Sequence, residues 1–443
     1  MKRLKFLLLS LFLTAGAVGH SQVLLNSYSI TPSASAIRVA SLGYQADPTN
    51  RFVIISFSDG LYSTSDDAGV KAADLTLTFS QNGGTATNAT ISSVKTSANA
   101  DLVGGESAIR VNISFTGSPS GVETISISPT TGSAIKDLDG DFASVIRNTT
   151  TVTVSPTYDT DYGAVLTQAI DNSYTYPIRD YRTIENSFVI DAKAKGIWVL
   201  VDLFYPLSYY GDVNYATLNW KTPGSFKCTV GGTLPYTRGS GFTPGSGHLL
   251  TGWVPSTNGV NFTLNLASAV HASETNVAST TQIDYGCSHS DANTSKRIRN
   301  MTKDSGSTSQ ICLNSASVST LAVVSTSVGL FHQSRSASTA AGHKYYIDGV
   351  LADGSNAPSG ALPDRGMVLM AEVNAAGAVV NTTTRKCPFY MFGGNMESLA
   401  ASINTMWTTQ VAARAGVGST SKTILMGSGK TLQTDDLNTL TTD

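Results

Sequence analysis

Between residues 22 and 155 apolar and polar side chains alternate with a period of two. Leu75, Leu77 and Phe79 fall on one face with Thr76 and Thr78 on the other, and Ile109, Val111, Ile113 and Phe115 oppose Arg110, Asn112 and Ser114. Successive strand residues point to opposite faces, so this spacing predicts strands with one buried and one wet face. Turns rich in Gly, Ser, Asn and Asp separate them, which predicts an antiparallel sandwich. Over 156–207 the period changes. Residues 162–170 and 183–195 carry helical spacing, with Ile184 and Phe188 one turn apart and Gly196 where a helix stops. The apolar run 196–204, Trp198 included, reads as core. From 208 to about 395 short strands and Gly-rich turns return, among them the hairpin GLFHQSRSASTAAGHKYYIDG of residues 329–349. Residues 396–413 are helix-like, and a Thr-, Ser- and Asp-rich tail from 416 reads as a loose or partner-dependent terminus.

The start of the chain has the form of a leader. Lys2, Arg3 and Lys5 precede the apolar run 6–13, and Ala15-Gly16-Ala17 supplies the small residues of a cleavage site. The run is shorter than the roughly 20 residues needed to span a bilayer, so a cleaved signal peptide is expected rather than an anchor. The expected organisation is a signal peptide over 1–21, a β-sandwich over 22–155 and a helical connector over 156–207. A second β-domain over 208–395 and a C-terminal helix and tail over 396–443 complete it.

Composition narrows the class. Only 14% of the 443 residues are charged and the net charge is −2, which removes the electrostatic case for nucleic acid or an anionic membrane surface. Abundant Gly, Ser and Thr suit a secreted or particle-surface β-protein. The four cysteines, Cys228, Cys287, Cys312 and Cys387, allow three pairings in an oxidising compartment or stand as four buried free thiols. None forms a CxxC pair.

Several stretches carry a family likeness. RFVIISFSDGLYST, DLTLTFSQNGGTATNATISSV, GESAIRVNISF and GSAIKDLDGDFAS resemble, in that order, the bacterial immunoglobulin-like modules of cell-surface proteins, over about 120 residues. The strand closing on Tyr345-Tyr346-Ile347-Asp348-Gly349 and the stretch CPFYMFGGN resemble a concanavalin A-like or laminin G-like jelly roll. KAKGIWVLVDLFYPL, LNWKTPGSFKCTV and VPSTNGVNFTLNLAS resemble a module of tail or fibre proteins of bacteriophages infecting Bacteroidota-like bacteria, and of surface proteins of those hosts, over about 240 residues from Thr157. These resemblances imply an all-β protein: an N-terminal immunoglobulin-like sandwich and a C-terminal jelly-roll sandwich, joined by a short helical connector.

Catalytic signatures are missing from the text. Glycan hydrolysis needs two carboxylates flanking the scissile bond, and no Glu-x-Asp-x-Glu or similar run occurs; Asp348 belongs to its turn and Glu397 to a helix start. Asp137-Leu-Asp-Gly-Asp141 lacks the Gly and Glu of a calcium loop and reads as an Asp-Gly turn. Residues 426–431 lack the first Gly of a phosphate loop, and 245–248 lack nucleophile-elbow spacing. Cys287, His289 and Asp291 alternate as metal ligands would on one strand, but a fourth ligand would have to come from elsewhere, and a polar loop beside a disulfide is the expected reading. No enzyme, metal or cofactor is expected.

Binding remains. Sugar rings stack on aromatic faces and take hydrogen bonds from planar polar groups, and Trp220, Trp253, Tyr209, Tyr210 and Tyr236 with Arg238 are the candidate platform. The leading expectation is a secreted or cell-surface, non-enzymatic adhesion protein whose jelly roll binds a surface glycan or protein. The alternative is a virion tail, fibre or head-decoration protein in host binding or assembly. No nucleic acid and no stable membrane insertion are expected; a homo-oligomer is compatible with either, though no heptad seam is present.

Overall fold

Residues 39–143, 150–278, 281–291, 296–315, 317–355, 357–417, 423–426 and 430–433 are described by the computed structural model, so the leader and most of the tail lie outside the described residues. The chain is mostly β-sheet with few helices. Its first part forms β1 (Val39–Ala46), β2 (Phe52–Ser63), β3 (Leu75–Ser80), β4 (Asn88–Thr96), β5 (Glu106–Thr116), β6 (Thr124–Pro129), β7 (Ile135–Lys136) and β8 (Thr150–Thr153). One sheet runs β1-β2-β5-β4, with β7 on the end of β2, and the other runs β3-β6-β8. Their inner faces meet through Val53 and Ile55 of β2, Ile109 and Val111 of β5, and Ile125 and Ile127 of β6. These are the inward positions of the period-two pattern.

A buried carboxylate locks one end of this sandwich. Glu123 has no exposed surface, and its oxygens accept from the backbone N–H groups of Ser120, Gly121, Val122, Thr85 and Ala86 at 2.8–3.2 Å. Burial opposes its ionisation, but the backbone donors outweigh this and hold the carboxyl down at about 2.

The two helices expected as a connector have another role. Helix α1 (Thr160–Asp171) is N-capped by Asp159, whose side chain accepts from Asp161 N, and α2 (Arg179–Ala194) ends before Gly196 at φ +70. Together with the C-terminal helix Ala400–Val417 they cover one face of a six-stranded sheet. That sheet runs Val350–Gly354, His343–Ile347, Gly329–Arg335, Ala267–Ser273, Phe389–Gly393, Val201–Tyr205. Val165 and Leu166 of α1, Phe188 and Val189 of α2, and Ile403 and Trp407 of the C-terminal helix pack on Phe204, Val270, Phe389 and Met391. A helix with one apolar stripe must bury it, and the outer face of this sheet is apolar, so the two match. The expected boundary at residue 208 therefore falls inside a folded unit: Val201–Tyr205 is an edge strand paired with Phe389–Gly393. Trp198, read as core, is core.

The other face of the six-stranded sheet meets a second sheet, ordered Thr229–Gly231, His248–Leu250, Val368–Leu369, Tyr285–Ser288, Arg297–Met301, Thr308–Ser315, Ser319–Val323. Tyr205, Ala269, Tyr390 and Phe392 interlock with Tyr285, Ile298, Leu313 and Leu369 between them. The hairpin of 329–349 forms as expected, with Phe331 opposite Ile347. Asp348 and Gly349 then make a two-residue turn at φ +49 and +78, and Asp348 Oδ1 accepts from Leu330 N at 2.8 Å. All four cysteines are buried free thiols.

The sandwich and the helical layer are joined by specific bonds. The Asn50 side chain exchanges two hydrogen bonds with the Ser155 backbone, at 2.7 and 2.9 Å. Thr157 N donates to Pro119 O at 2.8 Å, Arg179 Nη2 to Gly121 O at 2.7 Å, and Arg51 Nη2 to Asp171 Oδ1 at 3.2 Å.

Candidate functional site

Three chain segments meet beside α2: the α1–α2 loop (172–178), the loop 206–212, and the small hairpin of Tyr236–Thr237 with Gly241–Phe242. Asp212 fastens the first two, donating from its N–H to Thr175 O and accepting from Thr175 N, both at 2.9 Å. Tyr236 fastens the third, its hydroxyl donating to the Tyr209 and Gly211 carbonyls at 3.0 Å.

The result is a set of tyrosine rings, four of them with a cation beside the ring. Lys227 Nζ lies 4.4 Å from the Tyr174 ring centre and also bonds the Tyr174 hydroxyl and Asn214 Oδ1. The Arg182 guanidinium lies 5.8 Å from Tyr176, Arg238 5.9 Å from Tyr210, and Arg414 4.7 Å from Tyr209. Tyr210 is stacked on Tyr181 at 4.1 Å and 9°, and Gly239 approaches it so closely that a Cβ there would meet the ring at 2.5 Å. Tyr174, Tyr176, Tyr210, Tyr236, Lys227 and Arg238 are half-buried, which leaves part of each to solvent. Ring faces and edges beside cationic and amide donors can take the C–H face and hydroxyls of a sugar together.

Beneath this surface Glu185 is fully buried, and its Oε2 accepts from the hydroxyls of Tyr162 at 2.7 Å and Tyr215 at 2.6 Å. Burial pushes the carboxyl up to about 7, against the pull of these two bonds and of Arg414 and Arg182.

The candidate platform from the sequence divides. Tyr210, Tyr236 and Arg238 are brought together here. Trp220, Trp253 and Tyr209 are not available, since all three are at most 1% exposed. Trp220 packs among the rings of Tyr162, Phe204, Tyr209 and Tyr215, and Trp253 packs edge-on to Phe262 inside the sandwich. Large aromatic side chains fill cores before they serve ligands, and these three do so. Tyr174, Tyr176, Tyr181 and Lys227 were not singled out in the sequence. The signal was Tyr174-x-Tyr176-Pro177 in a short inter-helix loop, where aromatic residues stay accessible.

Elsewhere the chemistry is structural. Asp141 N donates to Asp137 Oδ1 at 2.9 Å in the expected Asp-Gly turn. Cys287 is buried inside the sandwich, whereas His289 and Asp291 pair on the loop outside it. Glu397 forms an ion pair with Lys344. Among the described residues no group of three or more His, Cys, Asp or Glu side chains is placed to hold a metal ion, and no helix is long and apolar enough to cross a membrane.

No family model and no curated protein matches the chain. Among solved structures it is similar to domain 4 of an extracellular arabinanase from Geobacillus stearothermophilus in complex with arabinotriose. That likeness has 14% identity over 46% of this chain and 98% of the domain, with a TM-score of 0.28. It is also similar to the sialidase of Trypanosoma rangeli, at 8% identity over 82% of this chain and 53% of the sialidase, TM-score 0.32, so it spans about half of that protein. The expectation of a non-enzymatic protein is corrected by these neighbours, which belong to glycoside hydrolases, and it is withdrawn. At TM-scores of 0.28 and 0.32 neither likeness assigns a fold family, a substrate or a catalytic residue to this chain.

Proposed function

We propose that this chain is an exported glycan-binding protein that holds its ligand on the tyrosine and cation surface beside α2. The observation that carries this reading is the gathering of Tyr174, Tyr176, Tyr210 and Tyr236 with Lys227 and Arg238 from four separate segments of the chain. A surface that served only the core would bury these rings as it buries Trp220. In this reading the first sandwich is an immunoglobulin-like spacer and the second a jelly roll that presents the binding edge. The same edge would suit a cell-surface adhesin and, equally, a particle that docks on a host.

The test is a glycan microarray probed with the full chain, with neutral and acidic glycans both displayed. Binding that is lost in the Tyr174→Ala/Tyr176→Ala double variant and weakened about tenfold in Arg238→Ala supports the proposal, since a cation at a partly exposed ring contributes about 0.5–1 kcal/mol and a charge-assisted hydrogen bond adds to it. Silence of the wild-type protein across the array, or binding indifferent to these variants, refutes it.

A further inference from the structure

A cleft of about 310 Å³ lies where the first sandwich meets α1; it shares no lining residue with the tyrosine surface, though Arg182 touches both, bonding the Tyr158 hydroxyl and lying beside Tyr176. Its walls come from both units: Asn50, Arg51 and Phe115 from the sandwich, Tyr158, Thr160 and Gly163 from the helical side. We infer that this cleft is a separate ligand site that takes one neutral saccharide ring and bridges the two units.

Charge argues for a neutral ligand. Arg51 is already shared between Asp47 at 2.9 Å and Asp171 at 3.2 Å, and Asp159 is held by Lys193 at 2.6 Å while it caps α1. Arg51 already faces two carboxylates, so it offers an entering anion no free charge. Asp159, which shares Lys193 with Asp161 at 2.6 Å to each, already holds a cation, so a charged ligand would lose water for little gain.

The lining argues for a polyol with an apolar face. Phe115, Pro119, Pro156 and the ring of Tyr158 supply carbon surface, whereas Thr157 and Thr160 stand on the same rim with Thr49, whose hydroxyl already donates to Asp47. Tyr158 is oriented by the Arg182 Nε bond to its hydroxyl at 3.0 Å, and Phe115 by edge contact with Phe79 at 6.4 Å, so the walls are held before any ligand arrives. A volume near 310 Å³ stands at the small end of ligand pockets, which limits the occupant to about one ring. Because the ligand touches residues of both units, its binding stabilises their joined arrangement.

Gly163 gives a clean test. It lines the cleft within α1, and a Cβ built there meets nothing within 4 Å. Gly163→Ala leaves the cleft open and favours the helix, whereas Gly163→Phe fills it. The probes are methyl pyranosides of glucose, galactose, mannose and N-acetylglucosamine at millimolar concentration, read by saturation-transfer NMR on the full chain. With any signal from the tyrosine surface removed by measuring in the Tyr174→Ala/Tyr176→Ala background, transfer to at least one pyranoside is expected for that background alone and with Gly163→Ala added, and its loss with Gly163→Phe added. Thr160→Trp, at the exposed mouth, gives the same loss if the phenylalanine variant does not fold. Transfer kept in that background separates this site from the one on the tyrosine surface. No transfer to any of the four in that background, or transfer unchanged in folded cleft-filling variants, overturns the inference.

Discussion

Asp284 and Arg385 face each other with neither side chain exposed, Arg385 Nη1 lying 3.1 Å from Oδ1 and 3.2 Å from Oδ2 of the carboxylate. The pair is embedded in donors and acceptors. Asp284 Oδ2 accepts from Thr302 N and Oγ1 at 2.9 and 2.7 Å, Oδ1 from Thr383 Oγ1 at 3.0 Å, and Arg385 Nε donates to Val277 O at 2.9 Å. Burial opposes ionisation of Asp284, yet Arg385, His271 and the Thr302 bonds hold its carboxyl below the ordinary range.

Arg385→Met removes the counter-charge and leaves the carboxylate stranded. Loss of one member of a buried pair costs about 3–5 kcal/mol, whereas replacing both members is far milder. Urea denaturation should therefore show the single variant destabilised by that amount and the Asp284→Asn/Arg385→Met double variant recovering part of it. Equal losses in the two would show that the stranded carboxylate carries no penalty of its own.

Glu185 makes stability depend on pH in the opposite sense from an ordinary carboxylate. Burial raises its folded value to about 7, above the ordinary 4.5, so the folded state holds the proton more tightly than the unfolded one. Its contribution is most favourable below 4.5, falls as pH rises through the window from 4.5 to 7, and is constant beyond. The full span is on the order of 3 kcal/mol. Glu185→Gln, which still accepts from Tyr162 and Tyr215, should flatten the fall in melting temperature across that window. An unchanged slope would assign the pH dependence to another group.

The local elements were legible and their partners were not. Ile109, Val111 and Ile113 alternate in the text and are buried in β5, while Phe115, expected on the same inward face, is half-buried at the cleft. Gly196 ended a helix in the pattern and does so at φ +70. The one-turn spacing of Ile184 and Phe188 announced a buried face, of which Phe188 is buried and Ile184 half-buried, but such a spacing does not say what the face is buried against, so it points no more to a sheet than to a connector. The aromatic residues show the same limit. Trp220 and Tyr210 differ in the fold only through long-range packing, on Phe204 for the one and beside Arg238 for the other. Periodicity over a few residues carries no trace of such contacts.

Asn50 is expected to govern how firmly the first sandwich is held. It sits at φ +62, a conformation that Asn adopts more readily than Ala, and its side chain makes both bonds to Ser155. Asn50→Ala strains the turn and frees the segment before α1, at a cost of about 1–3 kcal/mol. Limited proteolysis should then cut between residues 153 and 159 faster than in the wild type. Protection equal to the wild type would mean that the Thr157, Arg179 and Arg51 contacts suffice.

Glu123 sets an acid limit for the same sandwich. Its folded value of about 2 lies below the ordinary 4.5, so its contribution is fully present above 4.5 and is lost as pH falls from there toward 2. Protonation puts a hydroxyl among backbone N–H groups that all seek an acceptor. Glu123→Gln imitates that state at neutral pH, because its amide turns donors toward the Ser120 and Gly121 N–H groups. With the site fully buried, the expected loss is about 1–3 kcal/mol at pH 7. The variant should also lose less stability than the wild type on acidification. Both follow from one cause, so calorimetry at pH 7 and pH 3 on the two proteins must show them together; a variant destabilised equally at both pH values would place the acid sensitivity elsewhere.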